Sequence, residues 1–322
     1  MFCHIFHSAP GWARVLLMKI LVTGSSGVIG TRLCEKLLEA GHSLVCLDLR
    51  PNRLPAVNKF TMLGNLRDRK TLQALPKDFD FVVHLAANVG VGKSLQGPSL
   101  AVEDFETTSS LLEFIRSCGP HAPKLIFASS REVYGISSKP LLKEEDADVS
   151  KCASPYAASK LGGEALIWAY HRCYGLQFVI LRFSNIYGMY DDELNRVIPA
   201  LIRQGEEGKD LAVFPKEIDF LYIDDAVDAM LLSMEKFSSI RNDVFNIAQA
   251  KGGRLLDVAE KIRALLKKDV KVIARDEKEG EIMRSVADIS KAKRKMGYSP
   301  KTTIEEGLEK TIRRRAARGA GK

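Results

Sequence analysis

Tyr156 and Lys160, in SPYAASK (154–160), stand four residues apart and so share one face of a helix. A phenol with an ordinary pKa of about 10 is a poor base at neutral pH. An ammonium beside it favours the phenolate and brings it toward a working range. A Tyr-x-x-x-Lys pair alone is commonly plain helix surface. Here Ser130 ends an apolar strand-like run twenty-six residues upstream, where its hydroxyl could meet the same substrate oxygen. The three together make a candidate catalytic set.

A second cluster lies near the start. KILVTG (19–24) runs into Gly24-Ser25-Ser26-Gly27-Val28-Ile29-Gly30 and then a helical pattern. Glycines there permit a tight turn and a close approach of backbone to pyrophosphate, while the helix start offers unpaired N–H groups and a positive dipole end. Asp48 ends the second strand, eighteen residues beyond Gly30. A carboxylate at that place accepts both ribose hydroxyls and repels a 2′-phosphate, which favours NAD over NADP. Arg50 weakens that preference. A glycine trio alone also fits an ordinary strand–helix turn; strand before, helix after and Asp48 favour dinucleotide binding.

The elements that must position these residues alternate. KILVTG (19–24), SLVCLDL (43–49), FDFVVHLAA (79–87), KLIFASS (124–130) and LQFVILRF (176–183) are short apolar runs of the kind buried on both faces. Helical segments such as TRLCEKLLEAG (31–41), closed by Gly41, lie between them. This predicts an α/β fold, a doubly wound parallel sheet with a smaller, interleaved C-terminal α/β domain. The expected nucleotide-binding domain is 18–185, with 210–247 returning to it; 186–209 and 248–312 form the substrate domain. Within the later part, 197–208, 225–237 and 255–268 read as helices, and 220–224, 245–248 and 271–274 as strands. Residues 1–17 read as a disordered extension or the product of an upstream start codon, and 313–322 as a basic tail.

The 322 residues are 46% apolar and 27% charged, as in globular proteins. No apolar run approaches the roughly 20 residues needed to span a bilayer, so no membrane partner is expected. The six cysteines form no C-x-x-C pair, so neither a metal site nor a disulfide framework is expected, and a reducing cytoplasm fits. Net charge is 48 − 40 = +8, with much of the excess in KAKRK (291–295) and RRRAARGAGK (313–322). Such runs are usually solvated, and the moderate excess suits a phosphate-bearing substrate better than nucleic acid.

The ordered set of glycine trio, Asp48, HLAA (84–87), Ser130, Tyr156 and Lys160 resembles the extended short-chain dehydrogenase/reductases, and more narrowly the NAD-dependent epimerase/dehydratases of nucleotide sugars. The resemblance extends over residues 19–312 and includes LRFSNIYG (181–188), DFLYIDDAVDAM (219–230) and a late segment at 285–308. It implies that Tyr156 takes a proton from the sugar 4-hydroxyl, assisted by Ser130 and Lys160, while C4 hydride passes to NAD. It implies cofactor contacts from Gly24, Gly27, Val28, Ile29, Gly30, Asp48, Asn65, Leu66, Leu85, Ala86, Ala87, Tyr156, Lys160 and Phe183. Substrate contacts fall to Val89, Ser130, Arg131, Tyr156, Asn185, Val197, Phe214 and Arg284. A homodimer paired through helices at about 98–117 and 154–172 is also implied, with LIWAY (166–170) at the seam.

Three departures stand out. Ile218 replaces the arginine that often precedes the later DF pair, with Lys216, Arg196 or Arg284 as substitutes. Asp104, Thr107 and Thr108 stand where relatives have an asparagine–glycine–threonine helix start. In ASSREVYG (128–135), Glu132 aligns with the acid of dehydratases and decarboxylases, but Arg131 replaces the dehydratase aspartate, which leaves elimination without one partner. Glu132 therefore braces the loop, sets substrate polarity or takes part in elimination. The expected activity is a nucleotide-sugar 4-epimerase, most plausibly of a UDP-hexose. A 4,6-dehydratase or decarboxylase is the alternative, and a non-catalytic NAD-binding or RNA-binding scaffold a further one.

Overall fold

The computed structural model describes residues 17–88, 90–190, 196–275 and 284–319. In chain order its strands are β1 (Lys19–Thr23), β2 (Ser43–Asp48), β3 (Thr61–Leu63), β4 (Phe81–His84), β5 (Lys124–Ser130), β6 (Phe178–Phe183), β7 (Asn185–Tyr187), β8 (Leu211–Val213), β9 (Glu217–Tyr222), β10 (Asp243–Ile247), β11 (Gly252–Arg254), β12 (Val272–Ala274) and β13 (Arg284–Ser285). The helices are α1 (Val28–Glu39), α2 (Pro55–Asn58), α3 (Arg69–Gln73), α4 (Val91–Gln96), α5 (Ser99–Ser117), α6 (Pro155–Tyr174), α7 (Val197–Glu206), α8 (Ile223–Glu235), α9 (Phe237–Ile240), α10 (Leu255–Leu266), α11 (Ser290–Met296) and α12 (Ile304–Gly319).

Seven strands form one parallel sheet in the order β10-β6-β5-β4-β1-β2-β3. The order runs 3-2-1 and then 4-5-6, so it reverses between β1 and β4. A crevice opens at the carboxyl ends of strands where such a reversal occurs. Alternation along β1 sends Ile20 and Val22 to one apolar cluster, with α1 and α8, and Leu21 to the other, with α5 and α6. The first cluster continues without a break through Phe220, Leu255 and Leu308 of the later segments. One core therefore serves both halves.

The later strands form two smaller sheets, β11-β9-β13 with β7 on β9, and β12-β8. The return to the large sheet begins with α8 rather than at residue 210, because β8 pairs with β12 and β9 with β11, β13 and β7. The expected strand at 220–224 ends at Tyr222, and Ile223 already opens α8. α1 starts at Val28, three residues ahead of the expected pattern, and closes through Gly41 (φ 85°), with His42 N–H bonded to Leu37 O at 3.0 Å.

The basic segment from 313 is not a loose tail. It is helical through Gly319, with Arg315 paired to Glu206 at 2.6 Å and Arg314 over the Tyr190 ring at 5.0 Å. Lys291 and Lys295 of the earlier basic run likewise bind Asp243 of β10. Partners distant in sequence supply these anchors. Residues 1–16 of the expected extension lie outside the described residues. Among the described residues no helix is long and apolar enough to cross a membrane.

Candidate active site

The nucleotide cradle is built at the β1–β4 crevice. Gly24 adopts φ 72°, and a Cβ there would lie 2.6 Å from the Ala86 nitrogen. A Cβ on Gly30 would lie 2.2 Å from Gly24 O. The turn is thus drawn tight under Leu85 and Ala86 at the end of β4, with Ala87 following. Gly27 caps α1 without a side-chain bond, leaving the first-turn N–H groups of Val28 and Ile29 facing the turn. Asp48 Oδ2 accepts the Ser26 N–H at 2.9 Å and Oδ1 the Arg50 N–H at 3.2 Å. Each oxygen keeps lone-pair capacity for a ribose hydroxyl. Gly64 N–H donates to the backbone carbonyl of Asp48 at 2.9 Å, which ties the Asn65–Leu66 loop to the same residue. Ser25 Oγ is buried and has no partner among the described residues, a donor that a bound phosphate would satisfy. The cradle fits a dinucleotide.

Ser154 caps α6, its Oγ accepting the Ala157 N–H at 3.1 Å, and Pro155 takes the first helical position. Tyr156 therefore enters in the first turn with Lys160 one turn later. The strand alternation of β5 turns Ser129 into the core and Ser130 the other way. The Ser130 hydroxyl stands near enough to the Tyr156 phenol to favour its ionised form. Phe183, at the end of β6, is the register partner of Ser130.

Lys160 Nζ donates to Ala128 O at 3.0 Å and stands 5.8 Å from the Tyr156 ring centroid. Burial pushes the phenol up to about 12, while Ser130 and the Arg196 charge pull it down. Burial also lowers the Lys160 ammonium, opposed by Asp104 and Glu164. The phenol is thus a proton donor at rest and needs a further positive charge to act as base.

Arg131 and Glu132 pair with each other at 2.8 Å. Ser130 Oγ accepts the Glu132 N–H at 3.2 Å and so caps the 3₁₀ turn Arg131–Tyr134 that carries both. Beneath that turn lies a buried polar network. Glu164 accepts Ser129 Oγ at 2.5 Å and two bonds from Arg182, at 2.9 and 2.7 Å. Arg182 also donates to the Tyr134 hydroxyl at 3.1 Å, and Tyr134 donates to Asn246 Oδ1 at 2.5 Å.

Among the later strands, Asn185 of β7 donates to Asp219 O at 3.3 Å. The Asp219 carboxylate accepts the N–H groups of Gln249 and Ala250, and burial pushes it up to about 7 against those bonds. Ile218 is half-buried in β9, and Arg196, at the head of α7, donates to Ile186 O at 3.3 Å. Val197 opens α7 and is exposed. Phe214 lies between Lys216 and Arg275, 5.7 Å from each. Arg284 falls in β13 beside Glu217, its side chain outside the described residues, as is all of Val89. No hydrogen bond joins Asn65 or Val197 to the Ser130–Tyr156–Lys160 set among the described residues.

Sequence reasoning missed Ser94, Glu164 and the full part of Asp104. Ser94 Oγ accepts the Tyr156 N–H at 3.2 Å across 62 residues of chain. Asp104 binds Asn88, so it points at the 85–90 loop. His84 bridges Thr23 and Thr108, and burial lowers it to about 3, so it is neutral. None of these pairs leaves a local spacing to read, apart from Glu164 one turn beyond Lys160.

A model of the NAD dependent epimerase/dehydratase family matches residues 20–248. The chain belongs to that family. This epimerase/dehydratase is therefore an enzyme, and its cofactor is NAD. A UDP-glucuronate 4-epimerase of Thermodesulfobacterium geofontis is 31% identical, the match taking 91% of this chain and 94% of the relative. A UDP-N-acetyl-alpha-D-glucosaminuronate decarboxylase of Bacillus cytotoxicus is 29% identical over 91% of this chain and 96% of its own length. The crystal structure of Thermotoga maritima UDP-glucose 4-epimerase with UDP-glucose superposes with a TM-score of 0.85 at 28% identity, over 94% of this chain and 99% of that one.

Proposed function

We propose that this enzyme is a UDP-hexose 4-epimerase, with the hexuronate form as the first substrate to test. The observation that carries the proposal is the convergence of Ser130, Tyr156 and Lys160 beside the nucleotide cradle, with Glu132 engaged by Arg131. Tyr156 removes the proton of the sugar 4-hydroxyl and later returns it. Ser130 orients that hydroxyl, and Lys160 stabilises the phenolate. Bound NAD⁺ supplies the acceptor, and then the donor, of the C4 hydride and adds positive charge beside the phenol. Asn185 and Arg196 face the diphosphate; Val197, Phe214 and Arg284 hold the nucleotide end, and Arg131 and Val89 the sugar. The diphosphate tethers the 4-keto sugar while it turns over.

The Arg131–Glu132 pair favours epimerisation over elimination, because an acid committed to a guanidinium is poorly placed to take a C5 proton. The dimer we propose forms through the outward faces of α5 and α6, where Val102 and Phe105 are exposed and Phe105 lies over Gly162. Of the LIWAY residues, Ile167 is buried and Trp168 stacks on Phe178 inside the monomer, so the seam would use other positions. Sedimentation at micromolar concentration tests it. The five cysteines among the described residues are free, and the reading places the enzyme in a reducing cytoplasm.

The decisive experiment incubates the protein with UDP-glucose, UDP-glucuronate and UDP-N-acetylglucosamine and identifies products by mass and NMR. An isomer of unchanged mass supports the proposal; loss of water or carbon dioxide replaces it with dehydration or decarboxylation. Tyr156→Phe should abolish turnover with NAD binding retained, and turnover surviving that change would remove the mechanism.

A further inference from the structure

Asp104 lies inside α5, on its buried face, and its surroundings explain only half of its chemistry. The side chain is 6% exposed. Its Oδ1 accepts both the backbone N–H of Asn88 at 2.7 Å and the Asn88 side-chain amide at 3.0 Å. Its Oδ2 is buried and has no hydrogen-bond partner among the described residues. A carboxylate oxygen removed from water without a donor is costly, and such a group persists where a bound molecule completes it.

The charged and titratable groups that face this carboxylate are Lys160 and Tyr156 from α6 and Glu103 from α5 itself. With Asn88 just beyond the β4 end of the cradle and Lys160 and Tyr156 near enough to act on its charge, it lies beside the catalytic pair. A phosphate is excluded as its partner by like charge, and an apolar ring would leave the oxygen unpaired. A hydroxyl supplies the missing donor. An asparagine would hold Asn88 with its oxygen and turn an NH₂ donor the other way, so the carboxylate presents an acceptor where the amide would present a donor.

We propose that Asp104 Oδ2 is a hydroxyl-recognising acceptor, taking a hydrogen bond from a ribose hydroxyl of bound NAD or from a hydroxyl of the hexose. The hexose arm rests on the proposed function; the ribose arm does not. Burial raises the Asp104 carboxyl, against the Asn88 bonds and Lys160, so binding is measured at pH 8 to favour the ionised form.

The test is Asp104→Asn in the full chain, with calorimetric titration of NAD into the apoprotein and of UDP-glucose and UDP into the NAD-loaded protein. A hydrogen bond to a charged acceptor corresponds to a roughly ten- to hundredfold loss of affinity. Weakened NAD binding assigns the partner to the ribose. Weakened UDP-glucose binding with UDP unchanged assigns it to the hexose. Unchanged affinity for all three overturns the proposal, as does a uniform weakening that follows a lowered melting temperature. If the amide variant does not fold, Asp104→Ser, smaller and retaining an oxygen toward Asn88, takes the same titrations under the same criteria. None of these readouts depends on turnover, so failure of the epimerase reading would be seen separately, in the wild-type product assay.

Discussion

Glu164→Gln is the sharpest probe of how the catalytic turn is held. The wild-type carboxylate takes Ser129 Oγ and both forks of Arg182, and the two charged side chains are about equally buried, at 6% and 7% exposed. The amide keeps the volume but leaves the guanidinium without a counter-ion. Breaking a buried pair from one side costs about 3–5 kcal/mol. An unfolding entropy of about 2.1 cal/mol/K per residue over this chain gives roughly 0.7 kcal/mol/K, so the melting temperature should fall by roughly 4–7 °C. The double variant Glu164→Met, Arg182→Met removes both charges and should lose less than the single one, since a buried pair replaced by apolar groups is often neutral. Urea unfolding and calorimetry measure both. A single variant within about 1 kcal/mol of wild type, or a double variant worse than the single, would refute the view that the pair is held by mutual compensation.

Three further outcomes are expected. His84 is neutral in the fold, at about 3 against about 6.5 unfolded; its contribution is complete above pH 6.5 and is lost as pH falls toward 3, by about 1.4 kcal/mol per unit. Urea midpoints at pH 7 and pH 5 should therefore differ by less in His84→Gln than in wild type. Gly30→Ala drives a methyl into Gly24 O, so NAD titrated calorimetrically should bind at least roughly tenfold more weakly while the circular dichroism spectrum is kept. Glu132→Gln should cost at most about 1 kcal/mol and leave 4-epimerisation within roughly tenfold of wild type by NMR, whereas its near-complete loss would show that Glu132 acts in the reaction rather than bracing the turn.

Most strands of the large sheet were legible because parallel strands buried on both faces read as apolar runs, and KLIFASS matches β5 end to end. The glycine turn, Asp48 and the Tyr156–Lys160 spacing were legible because local geometry sets them. The short β3, α2 and α3 carry too few residues for a period to emerge. Ser94 beneath Tyr156 and Asp104 against Asn88 depend on segments meeting in space, and no spacing announces that. The arginines after residue 312 read as a tail because Tyr190 and Glu206, which hold them, lie more than a hundred residues earlier.

The chain crosses between its two halves three times, after Ser184, at the Tyr222–Ile223 junction and after β10, which returns to the edge of the large sheet beside β6. Sugar specificity consequently cannot be transplanted as a cassette. A chimaera joined once near residue 185 would pair a recipient β6 with a donor β10 and a recipient α1 with a donor α8, across a core that both halves share. Grafting a new substrate side onto this cofactor side needs three matched junctions, with α8, α9 and β10 kept from the recipient.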